Sequence, residues 1–322
     1  MRYVKLAAFI AALLAGTLAA GAALSADPYP AKPVRIIVAT GPGGVDDFTA
    51  RQVASKLGEV AGQQFIVENR AGAGGMIAQT YVAKSPPDGY TLLLAGGSMA
   101  GAKYVNANIT YDLLRDFTPV SLLSVLPFAV VMNPALPARN VQEFVELARA
   151  RPGKLTYGTL GAGQIPYWGA VLFNTMGRME LLEVQYKNPA DAITDIIAGR
   201  LDYYITGVAT VAGSRDKVRI LAVTSAARSR MLPDVPAIAE TLPGYDMPAW
   251  QSIMGPAGMS GDIVQILSKA IARSLANPDL RERFQKAGMV PSPSSPEELR
   301  KRYADWMMIF GRIAQDAGVK PH

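Results

Sequence analysis

The stretch RIIVATGPGGVDDFTAR, Arg35 to Arg51, decides the fold. Its β-branched run Ile36-Ile37-Val38 reads as a buried strand, Gly41-Pro42-Gly43-Gly44 breaks that strand, and an amphipathic pattern begins at about Val45 with Asp46 and Asp47 in its first turn. Strand, glycine-rich turn and helix form the first half of a βαβ unit. They also place a loop with exposed backbone N–H groups at a helix N-terminus, where negative charge is favoured. Such a loop serves as a catalytic loop, a phosphate cradle or a binding mouth, and the rest of the chain has to decide among these.

Outward from this stretch the alternation continues. Phe65-Ile66-Val67 is the next strand, a helix covers about Met76 to Lys84, and Asp88-Gly89 turns the chain into the strand Tyr90 to Leu94. The long strand-like run Pro119 to Met132 reads as a crossing between two lobes. After it the pattern restarts with a helix opened by Asn140, the strand Leu155-Thr156-Tyr157, a helix from Tyr167, the strand Leu182 to Tyr186, a helix from Pro189 to Ala198 and the strand Tyr203-Tyr204-Ile205. Near Trp250 the chain crosses back. Helices follow, one carrying the stripe Ile263, Leu267, Ile271 and Leu275, the last opened by Ser295 as N-cap with Pro296 at the first helical position. The expected architecture is α/β with mainly parallel sheets. Lobe 1 takes 27–126 plus 250–322, lobe 2 takes 127–249, and residues 1–26 form a signal peptide.

That signal peptide is expected from Arg2 and Lys5, the uncharged run Leu6 to Ala23 and the small residues Ser25-Ala26 before Asp27. Export of a protein with no membrane span follows. About 300 residues remain, more than one hydrophobic core usually serves. The chain has no cysteine, which removes disulfides, thiolate nucleophiles and a lipid-anchor site. Two of the positive charges behind the net +6 belong to the leader, and the other basic residues stand singly, so nucleic acid is not an expected partner.

The chemical motifs are incomplete. Gly41-Pro42-Gly43-Gly44-Val45-Asp46 and Gly161-Ala162-Gly163-Gln164-Ile165-Pro166 each lack the last glycine of a dinucleotide fingerprint, and no Walker sequence occurs. Gly96-Gly97-Ser98-Met99-Ala100 misses a nucleophile elbow at its final position, and the sole histidine is His322 at the end of the chain. A serine esterase using Ser98 therefore lacks an imidazole base, and Ser98 reads equally as a turn or cap residue. No metal or cofactor is expected. What remains is a pair of glycine loops, Thr40 to Asp47 and Thr159 to Tyr167, each between a strand and a helix: the description of a clamp.

The chain resembles the Bug family, the periplasmic solute-binding proteins of tripartite tricarboxylate transporters. The match is carried by Tyr29-Pro30-Ala31-Lys32-Pro33, by Pro42-Gly43-Gly44 with Asp47 and Ala50-Arg51, and by Val67-Glu68-Asn69-Arg70-Ala71-Gly72-Ala73-Gly74-Gly75. It continues through Pro86-Pro87-Asp88-Gly89-Tyr90-Thr91-Leu92-Leu93, Tyr111-Asp112 with Asp116-Phe117, Tyr186-Lys187 and Leu232-Pro233-Asp234-Val235-Pro236. The resemblance implies a two-lobed type II periplasmic binding protein, or Venus-flytrap, fold. It further implies a monomeric receptor, unanchored in the periplasm, that grips a small organic acid and delivers it to integral membrane transporter subunits. A sensor presenting its closed form to a signalling partner would use the same clamp.

The ligand-binding residues expected on this basis are Thr40, Gly43, Gly44, Asp46 and Ser98 from the first lobe, and Thr159, Gly163, Gln164, Tyr167, Tyr204 and Thr206 from the second. Three departures from the family pattern bear on ligand choice: Asp46 stands where a small residue is usual, Gln164 and Tyr167 replace serine and histidine, and Thr206 replaces an aspartate. Two readings of Asp46 are open. It caps the helix and leaves the Gly43 and Gly44 amides to a ligand carboxylate, or it receives a donor group from the ligand. The exchange of charge between the lobes favours the second, and the tyrosines would suit a flat or aromatic body.

Overall fold

In the computed structural model, which describes residues 29–211 and 216–321, the chain builds two mixed sheets covered by helices. The signal peptide and His322 lie outside the described residues. Both sheets belong to one compact unit that begins at Lys32. No helix among the described residues is long and apolar enough to cross a membrane.

The first sheet has the order β11-β4-β10-β3-β1-β2. In its parallel half β1 (Val34–Val38) is flanked by β2 (Phe65–Asn69) at the edge and β3 (Thr91–Gly96) toward the centre. Helix α1 (Val45–Ala61) and helix α2 (Met76–Ala83) make the crossovers, as parallel pairing requires. The other half is antiparallel: β10 (Ala249–Pro256) lies between β3 and β4 (Phe117–Leu126), and the short β11 (Val290–Pro291) closes the edge on β4.

The second sheet repeats this plan in the order β7-β6-β8-β5-β9. Here β6 (Thr156–Thr159) is parallel to β7 (Leu182–Gln185) and β8 (Tyr203–Gly207), whereas β5 (Phe128–Met132) runs antiparallel to β8 and to β9 (Arg219–Val223). The expectation of mainly parallel sheets is corrected by these pairs. The strands that arrive from the other sheet, β5 and β10, enter against the local direction, and a sequence pattern of buried strands does not report direction. The run expected as one crossing strand breaks at Pro127, between β4 and β5, where no ladder N–H is available.

Helices α3 (Val141–Arg149), α4 (Ile165–Gly177) and α5 (Pro189–Ile197) belong to the second sheet; α6 (Gly261–Leu275), α7 (Pro278–Lys286) and α8 (Pro296–Asp316) follow the return crossing. The apolar stripe on α6 is packing, with Leu267, Ile271 and Leu275 all buried. The terminal helix α8 joins the two halves through aromatic rings. Trp168 of α4 meets Phe310 at 4.8 Å, Phe310 meets Trp306 at 5.4 Å, and Trp306 meets Trp250 of β10 at 5.1 Å. Edge-on and tilted rings at these distances pack favourably beyond their buried area. Gly97 is required beneath them, because a Cβ there would lie 2.6 Å from Trp250 Cε2.

Candidate functional site

The loop after β1 owes its shape to Asp47. Gly43 has φ of 85°, a left-handed conformation that suits glycine, and its N–H donates to Asp47 Oδ2 at 3.0 Å. Arg51 Nε donates to the same oxygen at 3.0 Å, one helical turn away. Asn69, at the end of β2, donates through Nδ2 to Asp47 Oδ1 at 2.9 Å and to the Thr40 carbonyl at 3.0 Å. These bonds, the Arg51 guanidinium first and the Gly43 amide next, hold the Asp47 carboxyl down at about 2. The loop is thus fastened to its own helix and to the neighbouring strand. The expectation that the Gly43 amide is free for a ligand anion is corrected: Asp47 already occupies it.

Asp46 faces the other way. Its carboxylate accepts from Gln251 Nε2 on β10, and Gln251 Oε1 accepts from Ser124 Oγ on β4 at 3.0 Å. The Ser124 hydroxyl fixes the Gln251 amide with its nitrogen toward Asp46. Burial raises the Asp46 carboxyl above the ordinary carboxylate value, partly offset by the Gln251 bond. Asp46 makes no capping bond, since the N-cap of α1 is Gly44, which has no side chain to offer.

A cavity of about 270 Å³ opens between the two halves at this point. Thr40, Gly44, Asp46, Ser98 and Gln164, all anticipated from sequence, line it. So do Leu126, Phe128, Trp250 and Gln251, which sequence reasoning missed. The available signal for Gln251 was polarity: Gln251-Ser252 interrupts the apolar strand β10 close to the crossing, and both are buried. Two helices begin on this cavity, α1 at Gly44 and α4 at Gln164, and neither start carries a side-chain cap. Their orphan amides and the helix dipoles favour a carboxylate, while Asp46 favours a hydrogen-bond donor.

The remaining expected residues sit elsewhere. Gly163 borders an adjoining chamber, not the Asp46 cavity. Thr159 is buried, donates to Glu183 Oε1 at 2.6 Å and lines neither space. Tyr167 lines a separate cavity with Tyr157, Arg178 and Glu183, its ring against Trp168 at 5.5 Å. It stands two residues after Ile165, the first helical residue and one that lines the Asp46 cavity, so the helical rotation carries it to the opposite face. Tyr204 is 1% exposed, packed with Val131, Ile193 and Leu201, and Thr206 is buried too. The pocket-floor positions expected for Tyr204 and Thr206 are therefore core positions, because both faces of this sheet are covered and strand alternation points neither side to water.

The comparisons with known proteins agree with this geometry. The family model described as "Tripartite tricarboxylate transporter family receptor" matches residues 49–319. Protein BugT of Bordetella pertussis is 32% identical over 325 residues, covering 99% of each chain. Among solved structures, an R. palustris protein solved with adipate is 31% identical, with a TM-score of 0.78 over 91% of this chain and 100% of its own. MatC from Rhodopseudomonas palustris, with bound malate, is 27% identical, with a TM-score of 0.74 over 88% of this chain and 99% of its own. Two mixed α/β sheets with a cavity between them, walled by uncapped helix starts, are what a solute-binding receptor presents, and the chain belongs to the Bug family of tripartite tricarboxylate transporter receptors.

Proposed function

We infer that this receptor captures, between its lobes, a small organic acid that carries a second, hydrogen-bond-donating group, and delivers it to the membrane subunits of a tripartite transporter. The observation that carries the reading is the Asp46 carboxylate on the cavity wall, aimed by Gln251 and placed beside the uncapped starts of α1 and α4. The amides of those helix starts receive the ligand carboxylate, and Asp46 accepts from an amino or hydroxyl group of the same ligand. A plain dicarboxylate would place a second anion against Asp46, at a cost of several kcal/mol in a site of low polarity. The related R. palustris structures with adipate and malate support an organic acid as the class. A hydroxy acid such as malate fits the Asp46 arrangement better than adipate.

The suggestion of an aromatic body loses its original support, since Tyr167 and Tyr204 do not line the cavity. Phe128 and Trp250 do line it, and they serve any flat or methylene body. The lobe division at 127 and 249, a periplasmic location without a lipid anchor, and action as a monomer complete the proposal. Ser98 binds rather than attacks: the family consists of receptors, and no histidine stands among the described residues.

Isothermal titration against amino acids, hydroxy acids and plain dicarboxylates of three to six carbons, with small-angle scattering to follow closure, tests the reading. Tight binding of a donor-bearing acid with a fall in radius of gyration is expected. Preference for plain dicarboxylates over every donor-bearing acid would overturn it.

A further inference from the structure

Ser98 lines a second space as well as the Asp46 cavity. This chamber, of about 420 Å³, is bounded on one side by the 73–109 region and on the other by Ala162 and Gly163 of the second glycine loop. No charged side chain lines it among the described residues; its polar wall is Gln79, Asn106, Asn108 and Ser98. Two of these amides have fixed orientations. The Tyr111 hydroxyl donates to Gln79 Oε1 at 2.8 Å, and burial pushes the Tyr111 phenol up, so it remains a donor. The Asn108 N–H donates to Asn106 Oδ1 at 2.9 Å. In both cases the oxygen is engaged and the nitrogen is left, so the chamber offers donors without a cation.

We propose that this chamber is a distal subsite for a carbonyl-oxygen acceptor, the carboxylate or carboxamide end of an elongated organic acid whose head lies at Asp46, with Gln79 as its specificity-determining donor and Tyr111 as the residue that positions Gln79. The inference rests on the head-group reading above for the ligand's orientation. Ser98, shared by both spaces, marks where the ligand's chain passes. The two glutamines make an opposed pair. Gln251, held by Ser124, turns its nitrogen to a protein carboxylate, and Gln79, whose oxygen is held by Tyr111, lines an open chamber.

Matched probes separate head from tail. 2-Aminoadipate, its terminal amide homoglutamine, and norleucine share a head and differ at the distal end. Adipate and hexanoate repeat the comparison without a donor at the head. Titrated against the full mature chain, the acceptor-tailed probe of at least one set is expected to bind about tenfold more tightly than its methyl-tailed partner, the value of one or two good hydrogen bonds. The ratio between 2-aminoadipate and homoglutamine tells whether carboxylate or carboxamide is preferred. Gln79→Met, which keeps length and helix propensity, should abolish the preference and leave the methyl-tailed probe within about twofold. Tyr111→Phe should lower it for acceptor-tailed probes alone, because the Gln79 amide is then free to turn over. Equal loss for both tails, no loss for either, or no acceptor preference in either set overturns the subsite. Asp46→Ser is read in parallel: it weakens the amino-headed set and improves adipate, so failure at the head is distinguishable from failure at the tail.

Discussion

The helices of this chain begin in two ways. Away from the cavity, α3, α5, α6, α7 and α8 each start beneath a side chain that accepts from a first-turn amide: Asn140, Asn188, Ser260, Asn277 and Ser295. At the Asp46 cavity, α1 starts at Gly44 and α4 at Gln164, with no side-chain cap. A cap is worth about 1 kcal/mol, so its absence at these ends is a loss of stability unless something else takes the amides. Nor do the first-turn carboxylates of α1 fill the gap. Asp47 turns to Gly43, Arg51 and Asn69, and Asp46 turns to Gln251. The difference is what the proposed function requires, amides left for a guest, and each variant below either removes that difference or exaggerates it.

Gly44→Asp breaks it most directly. Gly44 has φ of −79° and ψ of 174°, an extended conformation open to any residue, and a Cβ there meets nothing closer than 3.9 Å. The new side chain supplies the missing cap and puts a fixed anion where the ligand carboxylate belongs. Affinity for the cognate acid is expected to fall on the order of 100-fold by titration, about 2.7 kcal/mol, while the ligand-free protein melts no lower. Asp46→Ser leaves the amides alone and removes the acceptor. It should weaken a donor-bearing acid by about 10- to 30-fold and improve a plain dicarboxylate, as a charge-assisted hydrogen bond is lost and a repulsion relieved. Unchanged affinity for both would return Asp46 to a purely local role.

Asp47→Asn probes the fastening of the loop. Loss of its bonds should cost about 2 kcal/mol in chemical denaturation at neutral pH. The native carboxyl, at about 2, lies below its ordinary 3.8, so its contribution is complete above pH of about 4 and disappears as pH falls through about 2. The variant should therefore show a shallower loss of stability across that acid window. Smallest is Ser295→Ala, which removes the hydroxyl that accepts from the Glu298 N–H and leaves the Ser295 N–H still donating to the Glu298 carboxylate. About 1 kcal/mol of stability should go, with ligand affinity unchanged. A drop in affinity there would mean that caps and ligand amides are not separate populations.

Sequence carried the local part of this comparison and missed the distant part. The Asn140 and Ser295 caps and the glycine breaks at Gly43 and Gly163 were legible, because capping and turn chemistry act over a few residues. Asp46 was legible as an anomaly in an anion-binding loop, but its partner Gln251 lies 205 residues on and is brought in by the return crossing. Tyr204 and Thr206 were misplaced, since alternation along β8 cannot tell a ligand-facing side from one packed on helices. The antiparallel halves of both sheets were hidden for the related reason that buried strands of either direction look alike in sequence.

One consequence follows from the neck of the molecule. Leu126 and Ala249 are register partners on neighbouring strands, so the chain leaves the first sheet and returns to it at a single rung. In genetic terms, 127–248 is a cassette with its two ends side by side, the arrangement that tolerates domain insertion and exchange. Two crossovers would replace it with the matching segment of a relative, keeping Asp46, Gln79 and the first sheet's ladder while changing the opposite wall. The junction to respect is aromatic: the incoming segment must set a ring where Trp168 meets Phe310, and receptors with new preferences then become reachable by recombination rather than by serial point mutation.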